Sequence, residues 1–144
     1  MSPKVFFYHN AADKFLSACR LLGKASAQGK RVTVYSDSNA TLETLDRLLW
    51  TYDPSGFVPH CTADSPLASE TPILITSAPE HVLSNERLMN LGTEIPPDFD
   101  RLTTLIEVVG QNEEDRAPAR NRFRFYKTQG CEIQSIDLSA PKET

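Results

Sequence analysis

Short apolar runs and apolar stripes at helical spacing alternate along the chain. Residues 5–8 form an apolar run, which predicts a buried strand that ends near His9 and is followed by Asn10 as a helix N-cap. Apolar side chains at 15, 16, 19 and 22 then lie on one face of a helix, which Gly29 is expected to end. The chain therefore opens with a predicted strand and helix.

The same alternation continues to the end of the chain. Further strands are predicted at 31–35, 72–76, 88–91, 104–109 and 132–138, and further helices from 42 to about 50 and from 113 to 129. Residues 57–69 are expected to be irregular, and the last strand is expected at a sheet edge. Strands that alternate with helices predict βαβ units. We therefore expect one α/β domain over residues 1–144, with a largely parallel sheet between two helical layers.

The composition is that of an ordinary globular chain. Its 144 residues are 40% hydrophobic and 24% charged, which excludes fibrous and wholly disordered classes. It has no apolar run long enough for a membrane span and no signal-peptide pattern at its start, so a cytoplasmic location is expected. Lys and Arg number 15 against 19 Asp and Glu, so only a local basic cluster could favour an anionic partner.

The expected nucleotide-binding features of such a fold are missing. The turn after the first strand, residues 8–12, contains no glycine, so the backbone cannot approach a pyrophosphate closely. The glycine-lysine run at 23–30 precedes a strand instead of following one. Asp37, where a ribose carboxylate could stand, is interpreted as a helix cap. No catalytic residue and no cofactor is predicted, although a nucleotide-binding or hydrolytic enzyme with an unrecognised site stays an alternative.

The cysteines and histidines predict no metal site. Cys19, Cys61 and Cys131 form no spaced pair, and Cys19 falls on the apolar stripe of the first helix. Cys61 follows His60 directly, but adjacent side chains on an extended chain point in opposite directions.

The last predicted helix concentrates positive charge on one face. At about 100° per residue, its cations fall within an arc of roughly 80°, with Phe123 at the edge of the arc. The cations are Arg116, Arg120, Arg124 and Lys127. Like charges four residues apart repel each other. The arc is either a solvated face paired with acids from elsewhere or a site for an acidic ligand with an apolar part, such as nucleic-acid phosphate or an acidic peptide tail.

A second unusual segment runs from 48 to 60. It holds Trp50 at a helix end and a Phe-Val-Pro turn, and these apolar groups either cover the sheet or form a protein-binding patch.

Several short segments, taken in order, form a pattern that spans nearly the whole chain. They are FFY at 6–8, GKRV at 29–32, LW at 49–50, FVPH at 57–60, NL at 90–91, PPDF at 96–99, EVV at 107–109 and ARNRFRFYK at 119–127. Together they resemble the family of the chi subunit of bacterial DNA polymerase III. No single segment is decisive, and the specificity lies in their combined order and spacing.

The resemblance implies a non-catalytic accessory role in DNA replication. Members of that family join the psi subunit of the clamp loader and bind the acidic C-terminal tail of single-stranded-DNA-binding protein, so that DNA is reached only indirectly. Their fold is similar to nucleotide-binding proteins but uses no nucleotide. Direct DNA binding through the basic helix is a third possibility, and would be weak and salt-sensitive.

The resemblance also implies two sets of site residues. The tail site would comprise Arg116, Arg120, Phe123, Arg124 and Lys127, with Trp50 as an apolar wall. The psi-facing surface would include Phe57, Val58, Pro59 and His60. Phe123 stands where many members carry Tyr, and Lys127 replaces the more frequent Arg.

Overall fold

The computed structural model of the chain describes residues 3–51, 58–78, 80 and 87–139. Within them, strands and helices alternate over most of the chain. The strands are β1 (Lys4–Ala11), β2 (Val32–Tyr35), β3 (His60–Thr62), β4 (Ile73–Thr76), β5 (Arg87–Asn90), β6 (Thr104–Gly110) and β7 (Glu132–Asp137). The helices are α1 (Lys14–Ala27), α2 (Asn39–Thr51) and α3 (Glu113–Thr128), and single 3-10 turns lie at Ala68–Glu70 and Phe99–Arg101.

The strands form one seven-stranded sheet in the order β3-β4-β2-β5-β6-β1-β7. Every pairing between neighbouring strands is parallel. The α/β prediction with a largely parallel sheet is therefore confirmed, and β7 lies at an edge as expected. Because β1 lies between β6 and β7, helix α3 runs from β6 to β7 across β1.

The two faces of the sheet carry separate apolar clusters. Alternate residues of a strand point to opposite faces, so Val108 packs with α1 and α2 while Val109 packs with α3. Leu88 and Met89 of β5 divide in the same way. Helices α1 and α2 thus cover one face and α3 covers the other, as in the predicted three-layer architecture.

Three local predictions were wrong. Residues 60–62 form strand β3 in parallel register with β4, although 57–69 was expected to be irregular. The N-cap of α1 is Asp13, whose carboxylate accepts from Leu16 N at 3.1 Å, whereas Asn10 lies at an irregularity of β1 with a φ of 64°. At α2, Ser38 Oγ accepts from Thr41 N, and Asp37 is not the cap.

Across the part of the chain that the structure describes, no helix has the length and apolar character needed to cross a membrane.

Candidate peptide-binding cavity

A cavity of about 380 Å³ lies between α3 and the sheet, beside β1 and β7. Its walls combine cations, aromatic rings and small polar groups. The lining residues are Phe7, His9, Val109, Arg116, Ala119, Arg120, Phe123, Arg124 and Ser135. This composition suits a ligand that has both negative charge and an apolar group.

Helix α3 supplies the basic wall of the cavity. Arg116, Arg120 and Arg124 are spaced four residues apart, so they project from one side of the helix. Phe123 adds an apolar surface beside them, and its ring packs edge-on against Phe7, with the centroids 5.1 Å apart. The cavity therefore places a row of guanidinium groups next to an aromatic pair.

The inward face of α3 is fixed by a buried polar network. Glu107 of β6 is fully buried, and both of its carboxylate oxygens lie 3.2 Å from Arg122 Nε. Tyr126 donates its hydroxyl proton to the same carboxylate at 2.5 Å, and Asn90 Nδ2 donates at 3.0 Å. Since Arg122 and Tyr126 point into the core, the three cavity arginines project from the flank and the outer side of the helix.

Two arginines of the cavity, Arg120 and Arg116, already interact with an acidic side chain, Glu113. Arg120 forms an exposed ion pair with Glu113 of the first turn of α3. The hydrogen bond from Arg120, and then its charge, lower the pKa of the Glu113 carboxyl below its ordinary value. This pair supports in part the interpretation of the basic arc as a solvated face, but Arg116 and Arg124 line the cavity as well.

Two residues expected at this site lie elsewhere. Lys127 is exposed on α3 and is not among the lining residues. Trp50, at the end of α2, packs its ring against His60 of β3, with centroids 5.0 Å apart. Because β3 and the β1–β7 pair lie at opposite ends of the sheet, Trp50 cannot form a wall of this cavity.

The segment expected to face psi is partly buried. Val58 is buried, and the side chain of His60 is only 1% exposed, while Pro59 is exposed. The two ring nitrogens of His60 lie 2.7 Å from Val58 O and 3.0 Å from Asp46 Oδ1. Phe57 lies outside the described residues. Val58 and His60 therefore support this edge of the sheet from inside.

Within the described ranges, no group of three or more His, Cys, Asp or Glu side chains is placed so that it could hold a metal ion.

The chain is similar to known proteins over most of its length. Residues 2–134 match the family described as "DNA polymerase III chi subunit, HolC". The DNA polymerase III subunit chi of Pseudomonas aeruginosa is 32% identical over 121 residues, which cover 84% of each chain. That of Haemophilus influenzae is 30% identical over 122 residues, covering 84% of this chain and 85% of the relative. The Escherichia coli protein of the same name is 24% identical over 119 residues, covering 81% of this chain and 80% of the relative.

The chain belongs to the chi family. It is thus an accessory protein of replication and a subunit of DNA polymerase III, as the resemblance implied. The ARNRFRFYK segment of that resemblance supplies four of the five residues with which α3 lines the cavity: Ala119, Arg120, Phe123 and Arg124.

The floor of this cavity was not predicted from the sequence. Phe7 and His9 of β1 and Ser135 of β7 line it from the sheet side. Their alternation along the strands marks one sheet face, but only the pairing of β1 with β7 brings them together. The part that Glu107 plays beneath α3 was not predicted either, although a lone acid within an apolar strand is a signal that a buried partner is present.

Proposed function

We propose that this chi-family chain is a non-catalytic adaptor of the polymerase III holoenzyme, acting in the cytoplasm. It would bind the acidic C-terminal tail of single-stranded-DNA-binding protein in the α3 cavity and the psi subunit of the clamp loader at the β3 edge. DNA would be reached only through these partners, and no cofactor would be needed.

The cavity fits the chemistry of such a tail. A peptide that carries Asp residues and ends in Pro-Phe offers side-chain carboxylates, a terminal carboxylate and one ring. Arg116, Arg120 and Arg124 can receive the carboxylates, and an arginine can hold a carboxylate through two hydrogen bonds. Phe7 and Phe123 can pack with the ring. The row of three arginines beside this aromatic pair is the observation that carries the proposal.

The opposite edge fits a protein partner. Trp50 is 58% exposed and lies against His60, within the segment that the family resemblance assigns to psi. Exposed tryptophans are frequent anchors of protein interfaces. We therefore assign Trp50 to the psi surface together with Pro59, and not to the tail site.

The two surfaces are far enough apart to be occupied together. β3 and β7 are the two edges of the seven-stranded sheet, and six strand spacings correspond to about 29 Å. An adaptor needs this separation, because one partner must not displace the other.

The tail site can be tested by fluorescence anisotropy with a labelled peptide of the tail. Arg124→Ala should weaken binding about tenfold or more, since a hydrogen bond to a charged group contributes roughly 1.5–3 kcal/mol. Arg20→Ala is the matched control, because it removes the same charge from an exposed position on α1, at the other face. Equal affinities for the two variants would contradict the cavity assignment.

The psi surface can be tested by titration calorimetry with purified psi. Trp50→Ala should weaken binding about thirtyfold, the loss expected for a central interface tryptophan. Leu67→Ala is the control, since Leu67 is also a large exposed hydrophobic residue, at 60%. Tail peptide added to a preformed complex with psi should bind with unchanged affinity, and competition between them would argue against a bridge.

A further inference from the structure

The floor of the α3 cavity contains a histidine, His9, that lies outside the segments on which the family resemblance rests. His9 lies two residues after Phe7 on β1, so both side chains project from the same sheet face toward α3. His9 is half-buried, and Ser135 of β7 lies beside Phe7 in register. A ligand that reaches from the arginine row into the cavity therefore meets an imidazole on its far side.

Charged groups surround His9 from two of the three neighbouring elements. On β7, Asp137 is the register partner of His9. The Asp137 carboxylate accepts hydrogen bonds from the backbone N–H and the hydroxyl of Ser139. On β6, the nearest lining residue is Val109, which is apolar. On α3 the facing groups are Arg116, Arg120 and Arg124, with Glu113 paired to Arg120.

These neighbours of His9 carry charges of both signs. The pKa of Asp137 is lowered first by hydrogen bonds from Ser139 and Asn10, and also by the charge of His9, so the two side chains interact electrostatically. The positive charges of the arginines repel any further positive charge in the same cavity. An anionic ligand bound among them would cancel part of this repulsion and would favour the protonated imidazole.

We propose that His9 is a further ligand-binding residue of this cavity, and that its protonation strengthens the binding of a carboxylate-bearing peptide. This inference rests on the proposed tail-binding function and deepens it. Binding and protonation must then be reciprocal: the peptide favours the imidazolium, and the imidazolium favours the peptide by the same factor.

The direction of the pH dependence follows from the charges. Histidine is the side chain that changes charge between about pH 5 and 8. The carboxylates of an acidic peptide stay ionised throughout the upper part of that range, since Asp and Glu protonate near about pH 4. The ligand keeps its charge while the cavity gains one as the pH falls, so affinity should rise from about pH 8 to about pH 6.

Anisotropy titrations at constant ionic strength test this inference. The ligand is the labelled tail peptide with a blocked N-terminus, titrated with wild type, His9→Gln and Arg20→Gln at about pH 8 and about pH 6. Wild type should bind about threefold to fivefold more tightly at the lower pH, the size of one added charge contact. His9→Gln should show no such change between the two pH values. Arg20→Gln, a change on the other face of the sheet, should keep the wild-type pH dependence.

The outcomes separate the two proposals. Wild-type binding that does not change with pH, or a full pH dependence in His9→Gln, would overturn the role of His9 and leave the tail site standing. Absence of wild-type binding at both pH values would overturn both. Proton NMR of the His9 imidazole in the wild type gives a check without any variant: the peptide should move the midpoint of its titration upward, and an unmoved midpoint would overturn the inference.

Discussion

The guanidinium of Arg122 meets the carboxylate of Glu107 inside the protein, with Nη2 at 3.1 Å from Oε1 and Nε at 3.2 Å from both oxygens. Arg122 also donates from Nη1 to Thr93 O at 2.9 Å, so the helix is tied both to the sheet and to the loop after β5. The pair sets the rotation of α3 about its axis. The cavity arginines face outward because Arg122 faces inward.

Removing one member of this buried pair should strongly destabilise the fold. Arg122→Met leaves the Glu107 carboxylate buried without its cation, and we expect a loss of about 3–5 kcal/mol in the free energy of unfolding. Guanidinium denaturation followed by circular dichroism measures it. Arg124→Met, the control on the exposed side of α3, should change stability by less than about 0.5 kcal/mol. Similar losses for both variants would contradict the role of the pair.

The helix that carries the site was well predicted, because its signals are local. Acids open α3, Gly130 follows it with a φ of 80°, and the structure places its bounds at Glu113–Thr128. The side-by-side placement of Arg116, Arg120 and Arg124 follows from helical spacing alone.

The parts that were missed depend on contacts distant in sequence. β3 is only three residues long and is defined by its pairing with β4, which no local periodicity reveals. The position of Trp50 depends on β3 being the sheet edge, and that of His9 on β1 lying beside β7. Strand order is set by long-range packing, whereas periodicity reports only which residues share a face.

The ion pair on the cavity rim should compete with an acidic ligand. Glu113 lies against Arg120, so a peptide carboxylate must replace it to use that guanidinium fully. Glu113→Gln should therefore raise the affinity for the tail peptide about twofold to threefold, the scale of a surface charge pair. Glu114→Gln changes the net charge equally on the same turn and is the control. An equal gain in both variants would show a general charge effect and not competition for Arg120.

The three thiols should differ in reactivity. Cys19 is fully buried on α1, and burial, with a contribution from Asp13, raises the pKa of its thiol to about 11. Cys61 and Cys131 are half-buried. Native protein at about pH 8 should therefore react with a thiol reagent at Cys61 and Cys131 while Cys19 stays protected, because the thiolate is the nucleophile. Peptide mapping after labelling identifies the sites, and rapid native labelling of Cys19 would contradict this placement.

The same thiol predicts a pH dependence of stability. In the folded state the Cys19 thiol stays protonated, whereas in the unfolded chain it releases its proton at about pH 8.5. Its contribution to stability is therefore fully present below that pH and is lost as the pH rises toward the folded value of about 11. Cys19→Ala should show a shallower decline in unfolding free energy over this alkaline range than wild type, and parallel declines would contradict the assignment.

The position where many α/β proteins hold a phosphate is occupied here by the protein's own carboxylate. Asp115, in the first turn of α3, accepts from the backbone N–H of Gly110 at the end of β6 and from Lys14 Nζ at 2.8 Å. Asn112 caps the helix by accepting from Asp115 N at 2.8 Å, so side chain and backbone of Asp115 are both engaged. These bonds join the starts of α1 and α3 at the carboxyl ends of β1 and β6.

We therefore expect nucleotides not to bind at these strand ends. The adjoining cavity is lined by Asp13, Glu114 and Asp115, whose charges repel a phosphate, while the lysine in its lining, Lys14, is already paired with Asp115. ATP with magnesium should leave the thermal unfolding midpoint unchanged. Asp115→Ala should cost about 1–3 kcal/mol of stability, because it removes a partly buried acceptor, while Glu114→Ala should cost less. A clear upward shift of the wild-type midpoint with ATP would favour the enzyme alternative, and equal stability of both variants would show that Asp115 does not hold the two helix starts together.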